Sequence, residues 1–187
     1  KFILFVGRFS KVKGIKNLIL AWNIIKKEKK NNDVKLVIMG VDFGFEEEME
    51  KMIEKFELSN EIIIIKNPPR EDVISAYDDS EFLVFPSQWE LSPLTPLESF
   101  AFKKPVISTN SHGIPYTVKD GENGILIDAE NEMELSKAIT KLLDDKILRE
   151  KLGEAGYDFV NNECNCISMA KNSLKLYESV LKNNHNK

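Results

Sequence analysis

Apolar residues along this chain gather into short unbroken runs, separated by longer stretches in which they recur every three or four positions. That alternation predicts strands buried on both faces, each followed by an amphipathic helix packed over them. Residues 2–6 (FILFV) form the first run, which stops at Gly7. Beyond Gly14, residues Ile15, Leu18, Ile19, Trp22 and Ile25 keep helical spacing. The lysine-rich run 26–30 closes this helix near Asn31 and Asn32, where positive charge suits the end of the helix dipole. A second run, 34–39, stops at Gly40, and Phe45, Met49, Met52, Ile53 and Phe56 then mark a helix with an acidic first turn, its methionines reading as core filling. A third run, 62–65, read as another buried strand, leads through Pro68 and Pro69 into a short helix carrying Val73, Ile74 and Tyr77.

The stretch 82–109 is the one on which the rest depends. A strand over 82–85 breaks at Pro86 and Ser87, and a loop presents Glu90 and Glu98 with seven residues between them. A helix then runs to Lys103 and Lys104, and 106–108 reads as the next strand. Turn-rich segments at 110–113 and 120–124 precede a short sixth strand, Gly124–Ile127, after which the pattern is helical only, over 133–143, 148–159 and 167–181, with a polar tail from Asn183. Strands alternating with helices specify an α/β domain: a doubly wound, Rossmann-like parallel sheet of about six strands, helices on both faces and trailing C-terminal helices. Such sheets bind ligands outside the carboxyl ends of their strands, which puts the expected groove at the loop carrying Glu90 and Glu98.

Length and charge narrow the function classes. The 187 residues, 42% apolar, suit one core, so 1–187 reads as a single domain. A net charge of -4 offers no positive field, and nucleic acid is not expected as a partner. Cys164 and Cys166 stand one residue apart, a spacing that fits neither a disulfide framework nor a zinc site and points to a reducing, cytoplasmic setting. No stretch approaches the ~18 apolar residues of a membrane span and none reads as a signal peptide. Peripheral association of a longer protein with the cytoplasmic face of a membrane stays open. The chain opens at Lys1 directly on an apolar strand and reads as an excerpt.

Two segments hold candidate chemistry. The loop 7–14 sets Gly7, Arg8, Lys11, Lys13 and Gly14 between a strand and a helix. Backbone N–H groups at the helix start, a glycine that lets the backbone come close, and the cations Arg8 and Lys13 suit a diphosphate. The loop is neither GxGxxG nor GxxxxGK[ST], so neither a dinucleotide fingerprint nor a P-loop is indicated, and basic residues in such loops are more often simply solvated. Glu90 and Glu98 can each accept hydrogen bonds from two vicinal hydroxyls, as a ribose or a sugar ring presents them. General acid–base work by the pair is the rival reading, and the plain one has Glu98 favouring its helix start and Glu90 facing water. His112, with one other histidine in the tail, builds neither metal site nor triad and reads as a loop residue. Trp89 either stacks on a ligand ring or packs its own loop.

Four segments together carry a resemblance: FVGRFSKVKG (5–14), VFPSQWELSPLTPLE (84–98), KPVIS (104–108) and GENGILI (121–127). In order and spacing they resemble the carboxyl-terminal, nucleotide-sugar donor-binding domain of retaining GT-B glycosyltransferases of the large group-1 family. The resemblance implies one half of a GT-B fold, with the N-terminal acceptor-binding domain outside this chain. It implies transfer of a hexosyl group from a nucleoside-diphosphate sugar to a hydroxyl acceptor (a glycan, lipid or small molecule), with retention of configuration and with no metal or other cofactor. The isolated half is then expected to bind nucleotide weakly and transfer nothing. By residue, Arg8 and Lys13 would neutralise the diphosphate, between Gly7 and Gly14. Glu90 would hold hydroxyls of the transferred sugar and Glu98 those of the ribose. Amides of Leu94 and Thr95 would face the phosphates, and the base would lie near Gly40, Asn67, Pro68 and Pro69.

One departure bears on the donor sugar: Leu91, Ser92 and Pro93 stand where the family commonly has glycines, and Pro93 has no N–H to offer. Other readings of the same residues are a nucleotide-sugar epimerase or sugar phosphorylase on this fold, a non-catalytic nucleotide-binding module acting through a partner protein, and a flavodoxin-like domain.

Overall fold

In the computed structural model, which describes residues 1–28 and 33–184, the six apolar runs are six strands. These are β1 (Phe2–Val6), β2 (Lys35–Gly40), β3 (Ile62–Lys66), β4 (Leu83–Phe85), β5 (Val106–Thr109) and β6 (Gly124–Ile127). All pair in parallel, in the order β3-β2-β1-β4-β5-β6. Strands therefore run outward from β1 to one edge and from β4 to the other. The reversal between β1 and β4 is the switch point of the sheet, where the connections leaving these two neighbours diverge to opposite sides and where such folds bind ligands at the strands' carboxyl ends. The turn expected at Asn31 and Asn32 and the tail beyond residue 184 lie outside the described residues.

The period of two along each strand builds two cores, one on each face. Ile3, Phe5, Leu36, Ile38 and Val84 pack under α1 (Ile15–Lys27), α2 (Glu46–Lys55) and α6 (Glu132–Asp144). Leu4, Val37, Met39, Leu83 and Phe85 pack with Val73 and Tyr77 of α3 (Arg70–Asp79) and Phe100 of α4 (Thr95–Ala101). The expected core methionine Met49 is fully buried. A one-turn helix, α5 (Ile114–Thr117), follows the turn-rich segment after β5, and α7 (Lys146–Glu163) packs across α4. Among the described residues no helix is long and apolar enough to cross a membrane.

Two expectations are corrected. β3 is the sheet edge, so Ile63 is 47% exposed and the strand is not buried on both faces. Ile74 faces solvent while Val73 and Tyr77, on the inner side of α3, are buried. The last helix, α8 (Cys166–Asn184), has the amphipathic spacing foreseen for it, and its apolar residues Ile167, Leu174, Tyr177 and Leu181 are exposed.

Candidate functional site

The two loops at the reversal point are laced together. Beyond β1 the chain makes a single 3-10 turn at Lys11–Lys13 and enters α1 through Gly14, whose φ of +72 is left-handed. Beyond β4 the Gln88 N–H donates to the Val12 carbonyl at 2.8 Å, and Ser87 Oγ lies 3.2 Å from that same oxygen and 3.0 Å from Glu90 Oε1, able to donate to either. The base of the second loop is anchored from β5, where Ser108 Oγ donates to the Phe85 carbonyl at 2.6 Å and Thr109 Oγ1 donates to that of Ser87. A Cβ on Gly14 would fall inside 3.0 Å of the Pro86 carbonyl oxygen. The glycine expected to make room for a ligand thus makes room for the opposite loop.

Lys13 and Glu90, 77 positions apart, form an ion pair across this seam, with side chains 12% and 16% exposed. Lys13 Nζ also lies 5.5 Å from the centre of the Phe85 ring, a cation–π contact. Removing either partner would leave a largely buried charge alone, so the pair ties the register of one loop to the other. From the far side the Gly113 N–H donates to the Glu90 carbonyl at 2.8 Å. Neighbouring His112, at φ +49, meets Trp89 edge-on at 5.9 Å, so Trp89 packs against the loop after β5 while staying half exposed.

Arg8, in the loop after β1, is exposed, its guanidinium 4.9 Å from the centre of the Phe43 ring. Phe43 belongs to the loop after β2, which is strapped to the loop after β1: the Phe9 N–H donates to Val41 at 2.7 Å and the Phe43 N–H to Phe9 at 3.0 Å. The Asp42 carboxylate accepts from the N–H groups of Phe45, Glu46 and Gly44, each at 3.0 Å, at the start of α2. Those bonds, Phe45's foremost, hold its carboxyl below the usual value. The Gly7 N–H donates to Met39 and the Asn67 N–H to Gly40, which sets Gly7, Gly40 and Asn67 side by side along the carboxyl edge, with Pro68 following.

Glu98 lies in the first turn of α4, its N–H donating to the carbonyl of Leu94, which together with Thr95 opens that helix. Its two oxygens are taken separately: Arg70 Nη2 donates to Oε1 at 2.8 Å and the Tyr77 hydroxyl to Oε2 at 2.9 Å. Tyr77 is fully buried and stacked on Phe102, and burial, followed by the negative charge of Glu98, pushes its hydroxyl far above the usual phenol range, so it remains a donor. Sequence reasoning missed Arg70 and read Tyr77 as core alone. The available signal was Arg70's place directly after Pro69, at a helix start beside the expected base region. No group of three or more His, Cys, Asp or Glu side chains among the described residues is placed to hold a metal ion.

Residues 1–159 match the model of the family described as glycosyl transferases group 1, which is most of the chain. The chain belongs to that family. A capsular polysaccharide biosynthesis glycosyltransferase of Staphylococcus aureus, CapM, is 31% identical over 184 residues, covering 98% of this chain and 47% of its own length. The chain spans less than half the length of the curated relatives it matches. Among solved structures, the C-terminal domain of the group 1 family protein LpcC from Francisella tularensis superposes with a TM-score of 0.80 at 27% identity, covering 89% of this chain and 87% of that one. HepE of Anabaena, solved in complex with UDP-glucose, superposes at 0.83 with 18% identity, covering 95% of this chain and 48% of HepE, a likeness of fold. The family match does not favour the epimerase, phosphorylase, non-catalytic or flavodoxin-like readings.

Proposed function

We propose that this group 1 chain is the carboxyl-terminal, donor-binding half of a retaining glycosyltransferase. The whole enzyme would move a hexosyl group from a nucleoside-diphosphate sugar to a hydroxyl acceptor, bound by a half outside this chain. The observation that carries the reading is the seam itself: the Lys13–Glu90 pair, with exposed Arg8 nearby, at the one place where the strand order reverses. An ammonium has three donors; one engages Glu90 and the others can reach phosphate oxygens. Arg8 and Lys13 then take up the negative charge that develops as the sugar leaves the diphosphate, which is why the reading requires no metal. Glu90 orients hydroxyls of the transferred sugar, and Glu98 those of the ribose. The amides of Leu94 and Thr95 face the phosphates, and Gly40, Asn67 and Pro68 border the base.

HepE, which shares this fold, was captured with UDP-glucose, and that supports a nucleotide sugar as the ligand class. Two exposed unpaired thiols, Cys164 and Cys166, fit a cytoplasmic setting. Calorimetric titration with UDP, GDP and ADP, each with Mg²⁺ and with a chelator, tests the reading. One nucleotide should bind equally under both conditions, and Arg8→Ala with Lys13→Ala should abolish it. Binding by no nucleotide, or unchanged binding by the double variant, would sink the donor-site assignment; binding only with Mg²⁺ would sink metal independence.

A further inference from the structure

The carboxylate of Glu98 is gripped at both oxygens by one neighbouring helix. Arg70, the first residue of α3, takes Oε1 and Tyr77, two turns on, takes Oε2. Tyr77 cannot swing away, because its ring is buried and stacked on Phe102 with an interplanar angle of 10°. The backbone leading to Arg70 is tied to the sheet, since Asn67, three residues earlier, donates its N–H to Gly40. The grip leaves Glu98 reachable, its side chain 31% exposed and that of Arg70 60%. A carboxylate has about four lone-pair positions, so with one taken on each oxygen a second remains on each, a spacing that matches two vicinal hydroxyls.

A freely rotating carboxylate can turn to make the best of a ligand that lacks one hydroxyl. A carboxylate held at both oxygens cannot, and a missing hydroxyl leaves one of its acceptors unpaired. We propose that Arg70 and Tyr77 are positioning residues that orient Glu98 toward both ribose hydroxyls, and so make this site select ribonucleotides over 2′-deoxyribonucleotides. The inference rests on the donor-site reading and deepens it, since it names the part of the nucleotide that is discriminated and the device that does so.

The test is calorimetry on this chain with the nucleoside diphosphate that binds and with its 2′-deoxy counterpart. It compares the parent with Arg70→Ala, Arg70→Lys, Tyr77→Phe and Glu98→Ala, each variant first checked for an intact far-ultraviolet spectrum. The parent should prefer the ribonucleotide by about tenfold or more, the scale of one hydrogen bond to a charged group. Glu98→Ala should erase the preference. Arg70→Ala and Tyr77→Phe should each weaken the ribonucleotide by roughly three- to tenfold and leave the deoxynucleotide within about twofold, so that the ratio collapses; Arg70→Lys should restore part of it. A merely structural role would weaken both ligands together and leave the ratio unchanged, and that result overturns the inference while the donor site stands. Tighter ribonucleotide binding by Arg70→Ala also overturns it, since the ion pair would then compete with ribose. A parent that binds no nucleotide overturns the donor-site reading and this inference with it.

Discussion

Replacing Gly14 by alanine tests whether the two reversal-point loops meet as described. Gly14 has a φ of +72, and an alanine held there costs about 1 kcal/mol for its left-handed backbone alone. Its Cβ would also lie inside 3.0 Å of the Pro86 carbonyl oxygen, an approach that real Cβ atoms avoid. That oxygen has little freedom to retreat: Ser87 is held by Thr109 and Gln88 by Val12. Forcing the loops apart adds a cost like that of overpacking, about 1–3 kcal/mol, for a total near ~3 kcal/mol. The control is Gly121→Ala, because Gly121 has the same φ of +72 with nothing within 4 Å of a Cβ, so only the backbone term of about 1 kcal/mol applies. For a chain of this length ~1 kcal/mol moves the melting temperature by roughly 2–4 °C. Thermal unfolding followed by circular dichroism should therefore drop by roughly 6–12 °C for Gly14→Ala and roughly 2–4 °C for Gly121→Ala. Equal shifts would mean that Gly14 does not abut Pro86, and the seam on which the site is built would be wrong.

Three further perturbations probe the same construction. Lys13→Met alone should cost about 3 kcal/mol in urea unfolding because Glu90 is left largely buried without its partner, and adding Glu90→Gln should recover at least ~1 kcal/mol of that; simple additivity would refute the pair. Gly153→Ala, in α7, should destabilise by about 1–2 kcal/mol although alanine is the better helix former, since its Cβ would press on the Lys103 backbone oxygen beside α4; a stabilised variant would show that α7 does not bear on the helix carrying Glu98. Asp42 has its carboxyl lowered by the N–H of Phe45 ahead of those of Glu46 and Gly44, so its contribution to stability is complete above the ordinary value of 3.8 and is lost as pH falls below it toward the folded-state value. The gap in urea midpoint between the parent and Asp42→Asn should accordingly narrow below pH 3.8, and a gap that stays constant down to strongly acid pH would contradict the capping role.

Strand positions were legible because a strand buried on both faces writes itself as an unbroken apolar run, and FILFV or LVIM admits few other readings. Strand order is a different matter. Nothing local in 62–66 distinguishes an edge from a centre, so the exposure of Ile63 followed only once β3 was seen to end the sheet. The site was legible by residue type and illegible by partnership. Arg8, Lys13 and Glu90 stand out as charges in strand-end loops and Glu98 as one at the helix start that follows, yet the pairing of Lys13 with Glu90 depends on the crossovers that bring β1 beside β4. Gly14 carried the right signal with the wrong consequence, because a glycine marks close approach without saying to what. Arg70 escaped because a cation at a helix start runs against the dipole and reads as solvated; only the fold reveals the carboxylate that it meets.

The central claim is that a nucleoside diphosphate lies where the strand order reverses. Amide chemical-shift mapping on the ¹⁵N-labelled chain, titrated with the nucleotide that calorimetry selects, tests it most directly. The account predicts perturbations concentrated in 7–14, 67–70 and 86–98, the loops after β1, β3 and β4 together with the start of α4. The molecule also has a polar cleft of about 220 Å³ at the opposite, amino ends of β4 and β5, lined by Ser80, Lys104, Lys146 and Arg149 among others. Perturbations gathered there, with 7–14 and 86–98 unmoved, would contradict the account.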